Sequence, residues 1–328
     1  MYVEMMFDSL EGLSVGDALG QQFPVMRTSV DALRAGAAPG GQWRWTDDTE
    51  MACSVVAELC TRDAIDRDHL AAAFARRCDP GRDYGFSTVG NLSRIRKGAP
   101  WREVSAAAFD HQGSCGNGAA MRVAPLGACY ASDPDMIVTQ AIRSAQVTHM
   151  HPEGISGAVA VALAAGQAAR ARLDGIRPTP EQFITTVLDR LDDGETSRGI
   201  RRARTLLGAS VHQVAGELGN GSRVTAQDTV PLTLWIAATH LHDYPTAITT
   251  CLVAGGDIDT TAAIAGGIVA AHTGPEAIPR EWLVAREPLP AWLDRARPPK
   301  PGRLRRWLTG SPRRRQPARG ISKPSPTQ

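Results

Sequence analysis

No CxxC pair, no signal-peptide pattern and no apolar run of bilayer-spanning length occurs in this 328-residue chain. Its six cysteines (Cys53, Cys60, Cys78, Cys115, Cys129, Cys251) are scattered, which speaks against a disulfide framework and for a reducing, cytoplasmic compartment. The longest apolar stretches, 158–165 and 262–271, are rich in Ala and Gly and fall short of the roughly 18–20 residues that a membrane helix needs. Alternating apolar and polar strand patterns are missing, and so is any internal repeat of roughly 20–50 residues. Before residue 285 nothing is polar or Gly/Ser-rich enough to be a linker. Acidic residues are absent from 295–328, where eleven Arg or Lys occur; residues 1–294 therefore carry 25 basic against 34 acidic side chains. An acidic body excludes a nucleic-acid-binding core, leaving the basic tail as the one segment suited to an acidic partner.

What is present is helix-forming sequence. At 43% hydrophobic and 21% charged residues, the chain has the composition of a folded globular protein. Spacing of apolar residues between Gly and Pro punctuation predicts helices over 4–20, 48–62, 66–77, 101–109, 118–130, 134–147, 153–172, 180–191, 197–207, 228–241, 245–253 and 260–272. Gly12, Gly16 and Gly20 recur every four residues, which allows close helix approach. The expectation is one all-α domain over 1–294, monomeric, followed by a Pro/Arg-rich tail over 295–328. That tail has too few apolar side chains to offset its ordering entropy and is expected to be disordered. Trp307, between arginines, is the one residue there with a side chain suited to docking.

Two acidic strings stand out. Thr46-Asp47-Asp48-Thr49 precedes a predicted helix and reads, taken alone, as an ordinary cap. Gly255-Gly256-Asp257-Ile258-Asp259-Thr260 holds two carboxylates one residue apart behind a Gly-Gly turn, more than a cap requires. Carboxylates with Thr hydroxyls are hard oxygen ligands, suited to Mg²⁺ or Mn²⁺. Two such strings at opposite ends of the chain look like halves of one binuclear site. Ser114-Cys115-Gly116-Asn117-Gly118, before the helix expected near Gly118, has the composition of a phosphate-binding loop and equally that of a plain Gly-rich turn. His149 falls at a helix end, either as a structural histidine or as a ligand contact, and a zinc site with His151 lacks a third ligand. Asp17 is unfavourable inside a helix unless it has a task, such as a hydrogen bond to a metal ligand.

Gly12-Leu13-Ser14-Val15-Gly16-Asp17-Ala18-Leu19-Gly20, Trp45-Thr46-Asp47-Asp48-Thr49, Gly116-Asn117-Gly118-Ala119-Ala120-Met121-Arg122, Thr148-His149 and Gly256-Asp257-Ile258-Asp259-Thr260 follow one another in an order that resembles the ADP-ribosyl-glycohydrolase family. The resemblance covers about residues 7–274. It implies an all-α orthogonal bundle around a central binuclear cleft. Two Mg²⁺ or Mn²⁺ ions would be held by Thr46, Asp47, Asp48, Asp257, Asp259 and Thr260, with Asp47, Asp48 and Asp259 closest to the chemistry. It also implies Ser114, Cys115, Gly116, Asn117, Gly118 and His149 for an ADP-ribosylated protein or small ADP-ribosyl substrate, and Asp17 behind the metal ligands. Hydrolysis would use one ion on the ribose hydroxyls and the other to acidify a water. Many relatives carry a glutamate four residues after the last glycine of the first motif; Pro24 stands there here, which puts the serine-linked branch of the activity in question. A non-catalytic ADP-ribose-binding protein is the alternative from another class. A phosphoesterase is a weaker one, because no histidine stands beside the acids.

Overall fold

The computed structural model describes residues 1–26, 28–35, 37 and 40–293. Among these, regular structure is entirely helical apart from two isolated bridges, Trp43 with Arg286 and Gly116 with Thr225. The first half carries α1 (Val3–Gln22), α2 (Val30–Arg34), α3 (Asp47–Arg62), α4 (Arg67–Arg77), α5 (Phe86–Arg96), α6 (Trp101–Ala106), α7 (Ala108–His111), α8 (Ala124–Cys129) and α9 (Pro134–Gln146). The second carries α10 (Pro152–Asp174), α11 (Pro180–Leu188), α12 (Glu195–Thr205), α13 (Val211–Leu218), α14 (Ala226–Thr239), α15 (Tyr244–Ala254), α16 (Ile258–Thr273) and α17 (Arg280–Ala285). No helix among the described residues is long and apolar enough to cross a membrane. The expected tail, 295–328, lies outside the described residues, as does Trp307 within it.

The bundle is built around α1 and α16, its most extensively packed pair. Small residues permit that packing. A Cβ on Gly12 would lie 2.4 Å from Gly266 O, one on Gly16 would lie 2.2 Å from Ala262 O, and one on Gly20 would lie 2.6 Å from the Cα of Asp259. The backbones therefore touch along about two turns, and Gly20 fixes the end of α1 against the first turn of α16. Asp133, Thr179 and Ser210 accept backbone N–H bonds at helix starts, as their residue types favour. His151 does the same for α10 through Nδ1, a capping task that accounts for it without zinc.

Three sequence expectations change. The helix expected over 118–130 is a single 3-10 turn, Asn117–Ala119, followed by α8, because Pro125 has no N–H to donate and fits only a first helical turn. The helix expected over 101–109 ends at Ala106; Phe109, Asp110 and His111 adopt left-handed conformations (φ 52°, 53° and 66°), so α7 is a separate left-handed turn and not a continuation of α6. Helices α2, α5, α13 and α17 were not expected. In α5, Thr88, Val89, Gly90 and Asn91 all lower helix propensity, and burial of Leu92 overrides them.

Candidate metal centre and ligand pocket

Asp17 is the residue around which the centre is assembled. It sits in the middle of α1, fully buried, and accepts four hydrogen bonds from the start of α3. Thr46 N donates at 3.0 Å, Thr46 Oγ1 at 2.9 Å, Thr49 N at 3.1 Å and Thr49 Oγ1 at 2.5 Å. Thr46 is the N-cap of α3, and its hydroxyl also lies 3.0 Å from Asp48 Oδ2. Outside this turn, Arg82 pins the segment. Its guanidinium lies 3.5 Å over the Trp45 ring, donates to Trp45 O at 3.0 Å and forms a two-pronged ion pair with Glu287.

The second acidic string arrives from α16. Oxygens of Asp17, Asp48 and Asp259 all lie within 4.8 Å of one another. Asp257 and Asp259 hydrogen-bond through their side chains, and Asp47 stands within electrostatic reach of Asp17 and Asp259. Asp257 is held by Asn117 Nδ2 at 2.7 Å, and its N–H donates to Asn220 O. Thr260 is buried in the first turn of α16, where its N–H donates to Asp259 Oδ1. Two of the six expected metal ligands, Asp48 and Asp259, thus converge with Asp17; Thr46 and Asp257 are linked to them by hydrogen bonds, Asp47 interacts with them electrostatically, and Thr260 follows Asp259 in the chain.

The electrostatics of this group call for a cation. Burial first, and then the neighbouring carboxylates, push Asp259 up to about 8 and hold Asp47 and Asp48 well above the usual carboxylate range. Burial raises Asp17 to about 6 in spite of its four donors. The largest influences on Asp48 and Asp259 include no lysine or arginine, and Asp47 shares an electrostatic interaction with the buried Arg122. In addition, Asp48 Oδ1 is buried with no hydrogen-bond partner. A buried carboxylate oxygen without a donor is costly, and a hard divalent cation satisfies both the orphaned oxygen and the collected charge. The residues fit the group.

Beside this cluster lies the loop 114–118. Gly116 N donates to Ser114 Oγ at 3.1 Å, Asn117 N to Val224 O at 3.1 Å, and Cys115 O accepts from Ala226 N. The N–H groups of Gly116 and Asn117 are therefore engaged within the protein, and the turn that begins at Asn117 is 3-10, not the α-helix expected near Gly118. The glycines serve close packing: a Cβ at Gly116 or Gly118 would lie 3.1 or 3.2 Å from Nε2 of His149. Asn117, besides holding Asp257, donates to Thr229 Oγ1 at 3.1 Å and so ties the loop to the acidic cluster. Ser114, Thr148 and His149, with Ser87, Asn91 and Phe109, line a small recess with a cavity volume of about 20 Å³.

Sequence reasoning missed four groups here. Arg122 and Thr148 stood in recognised motifs without a role, although a charged residue amid Ala119–Val123 was a visible oddity. The loop 219–225 touches both Asp257 and Asn117, and its Asn220-Gly221 turn was the available signal. Asp83, left-handed at φ 62°, accepts from Gln21 Nε2 at 3.2 Å and adds to the charge felt by Asp47. Pro24 is exposed in a 3-10 turn after α1 and brings no carboxylate.

The model of the ADP-ribosylglycohydrolase family matches residues 4–316. The human protein named ADP-ribosylhydrolase ARH3 is 30% identical, over 83% of this chain and 86% of its own length. The ADP-ribosyl-[dinitrogen reductase] glycohydrolase of Rhodospirillum rubrum is 28% identical over 83% of this chain and 86% of its own. A solved structure titled "ADP-ribosylglycohydrolase-related protein complex" superposes with a TM-score of 0.60 at 26% identity, covering 87% of this chain and 93% of that one. The all-helical fold, the match over nearly the whole chain and the acidic centre agree: this chain belongs to the ADP-ribosylglycohydrolase family and is a hydrolase of glycosyl bonds.

Proposed function

We propose that the protein is a Mg²⁺- or Mn²⁺-dependent hydrolase that releases ADP-ribose from a modified protein side chain or another ADP-ribosylated substrate. The single observation that carries the metal dependence is the buried acidic cluster with its orphaned Asp48 Oδ1. Asp47, Asp48, Asp257 and Asp259, with Thr46 and Thr260, would hold two divalent ions. When bound, such ions supply Lewis-acid charge to the ribose hydroxyls and make a water acidic enough to yield hydroxide near neutral pH. Asp17 keeps Thr46 and Asp48 in register, and Asn117 keeps Asp257 in register with the loop. His149 and the loop 114–118, which Asn117 ties to Asp257, would contact the rest of the ADP-ribosyl group. The names of the similar proteins support ADP-ribosylated substrates. The linkage is decided by assay, with arginine- and serine-linked substrates offered side by side. Release of free ADP-ribose that depends on Mg²⁺ or Mn²⁺ and stops in EDTA is the expected result. Full activity in excess chelator would overturn the metal assignment, and ADP-ribose binding without turnover on any linkage would favour the non-catalytic alternative.

A further inference from the structure

Arg122 is fully buried in the core, and among the described residues it forms no ion pair, although Asp47 acts on it electrostatically. Its guanidinium lies 4.6 Å over the Phe74 ring, and Nη2 donates to Ser144 O and to Thr148 Oγ1, each at 2.9 Å. Thr148 Oγ1 in turn lies 2.7 Å from Nδ1 of His149. A hydroxyl has one proton and two lone pairs. Arg122 takes a lone pair, and His149 Nδ1 is the polar atom placed to receive the proton. A cation donating to the hydroxyl polarises it and makes it the better donor. A neutral imidazole that accepts at Nδ1 carries its single proton on Nε2. That nitrogen faces Gly116 and Gly118 at the edge of the recess, and none of the hydrogen bonds of the described residues uses it.

We infer that Thr148, polarised by Arg122, is a positioning residue that holds His149 as its Nε2–H tautomer and points that donor at an oxygen acceptor of the ligand in the recess. The ligand's identity rests on the proposed function; the tautomer does not. Burial, and then the Arg122 charge, lower His149 to about 3, so the ring stays neutral and the donor persists through the physiological range. The glycines of the loop are explained by the same arrangement, since any side chain at 116 or 118 would cover Nε2.

The test is a long-range ¹H–¹⁵N spectrum of the full chain labelled with ¹⁵N-histidine, the His149 signal being identified by its loss in His149→Gln. The wild type is expected to show an unprotonated Nδ1 and a protonated Nε2. Thr148→Ser keeps the hydroxyl and should keep that pattern, with ADP-ribose affinity within about 3-fold. Thr148→Val keeps the shape and loses the hydroxyl, so protonation should spread to Nδ1 and affinity should fall about 10-fold, the worth of one hydrogen bond. A proton on Nδ1 in the wild type would overturn the inference whether or not Thr148→Val folds. So would an unchanged tautomer in Thr148→Val. If the tautomers behave as expected while ADP-ribose leaves every signal unmoved, the lock stands and the ligand assignment fails.

Discussion

At the scale of single residues, the decisive question is whether the acidic strings cap helices or hold metal. Thr46, not an aspartate, is the N-cap of α3, and Asp48 points an unpartnered oxygen inward. Asp48→Asn and Asp259→Asn remove charge from a crowded acidic group while keeping its shape. Without metal, both variants should melt at or above the wild-type temperature, because the like-charge repulsion is relieved. Their turnover should fall about 100-fold or more, and added Mg²⁺ or Mn²⁺ should no longer raise their melting temperature. Normal turnover with the metal response intact would return these residues to the role of caps. The two strings were legible in the sequence because carboxylates and hydroxyls cluster there beyond what capping needs. Arg122 and Thr148 were not legible, because their roles come from burial and from a contact spanning 26 positions, which no local pattern encodes. Asn117 was expected at the substrate; its amide is spent on Asp257 and Thr229, across 140 and 112 positions.

At the scale of elements, helices were read well where apolar spacing and capping agreed, as in α1, α3, α9, α10 and α16, and poorly where packing overrides propensity, as in α5. The glycine spacing of α1 was read as close approach, and the structure shows what it approaches. Gly16→Ala would drive a Cβ into Ala262 O at 2.2 Å, in an interface where both sides are helix backbone and cannot give way. A loss of about 1–3 kcal/mol is expected in urea unfolding. Because the same interface seats Asp17 and Asp259, metal affinity should fall with it. Gly216 in α13 provides the contrast: nothing lies within 4 Å of its Cβ position, so Gly216→Ala should stabilise by about 0.5–1 kcal/mol. Equal effects at the two positions would show that backbone contact between α1 and α16 does not organise the bundle.

For the whole molecule, the acidic centre makes stability depend on pH and metal together. Asp259 at about 8 and Asp17 at about 6 have folded-state values above their unfolded ones, so the native state binds protons more tightly than the unfolded chain. The sign follows from linkage: their favourable contribution is complete below about pH 4, where both states are protonated, and is lost as pH rises through about 6 and then about 8. In EDTA the protein should therefore lose stability over that window. Divalent ions compete with the same protons and favour the ionised cluster, so the stabilisation by Mg²⁺ or Mn²⁺ should grow as pH rises across it. Melting curves at about pH 5.5 and pH 8, each with EDTA and with metal, supply the check. In a chain of this size a change of 1 kcal/mol moves the midpoint by about 2–4 °C or somewhat less, which such curves resolve. A metal-induced shift of equal size at both pH values would mean that the ions bind away from Asp17, Asp48 and Asp259. A metal-free midpoint that climbs steadily from pH 5.5 to pH 8 would mean that these carboxyls are ionised in the native state without help, and that the crowding of acids around Asp48 is relieved by something other than a cation.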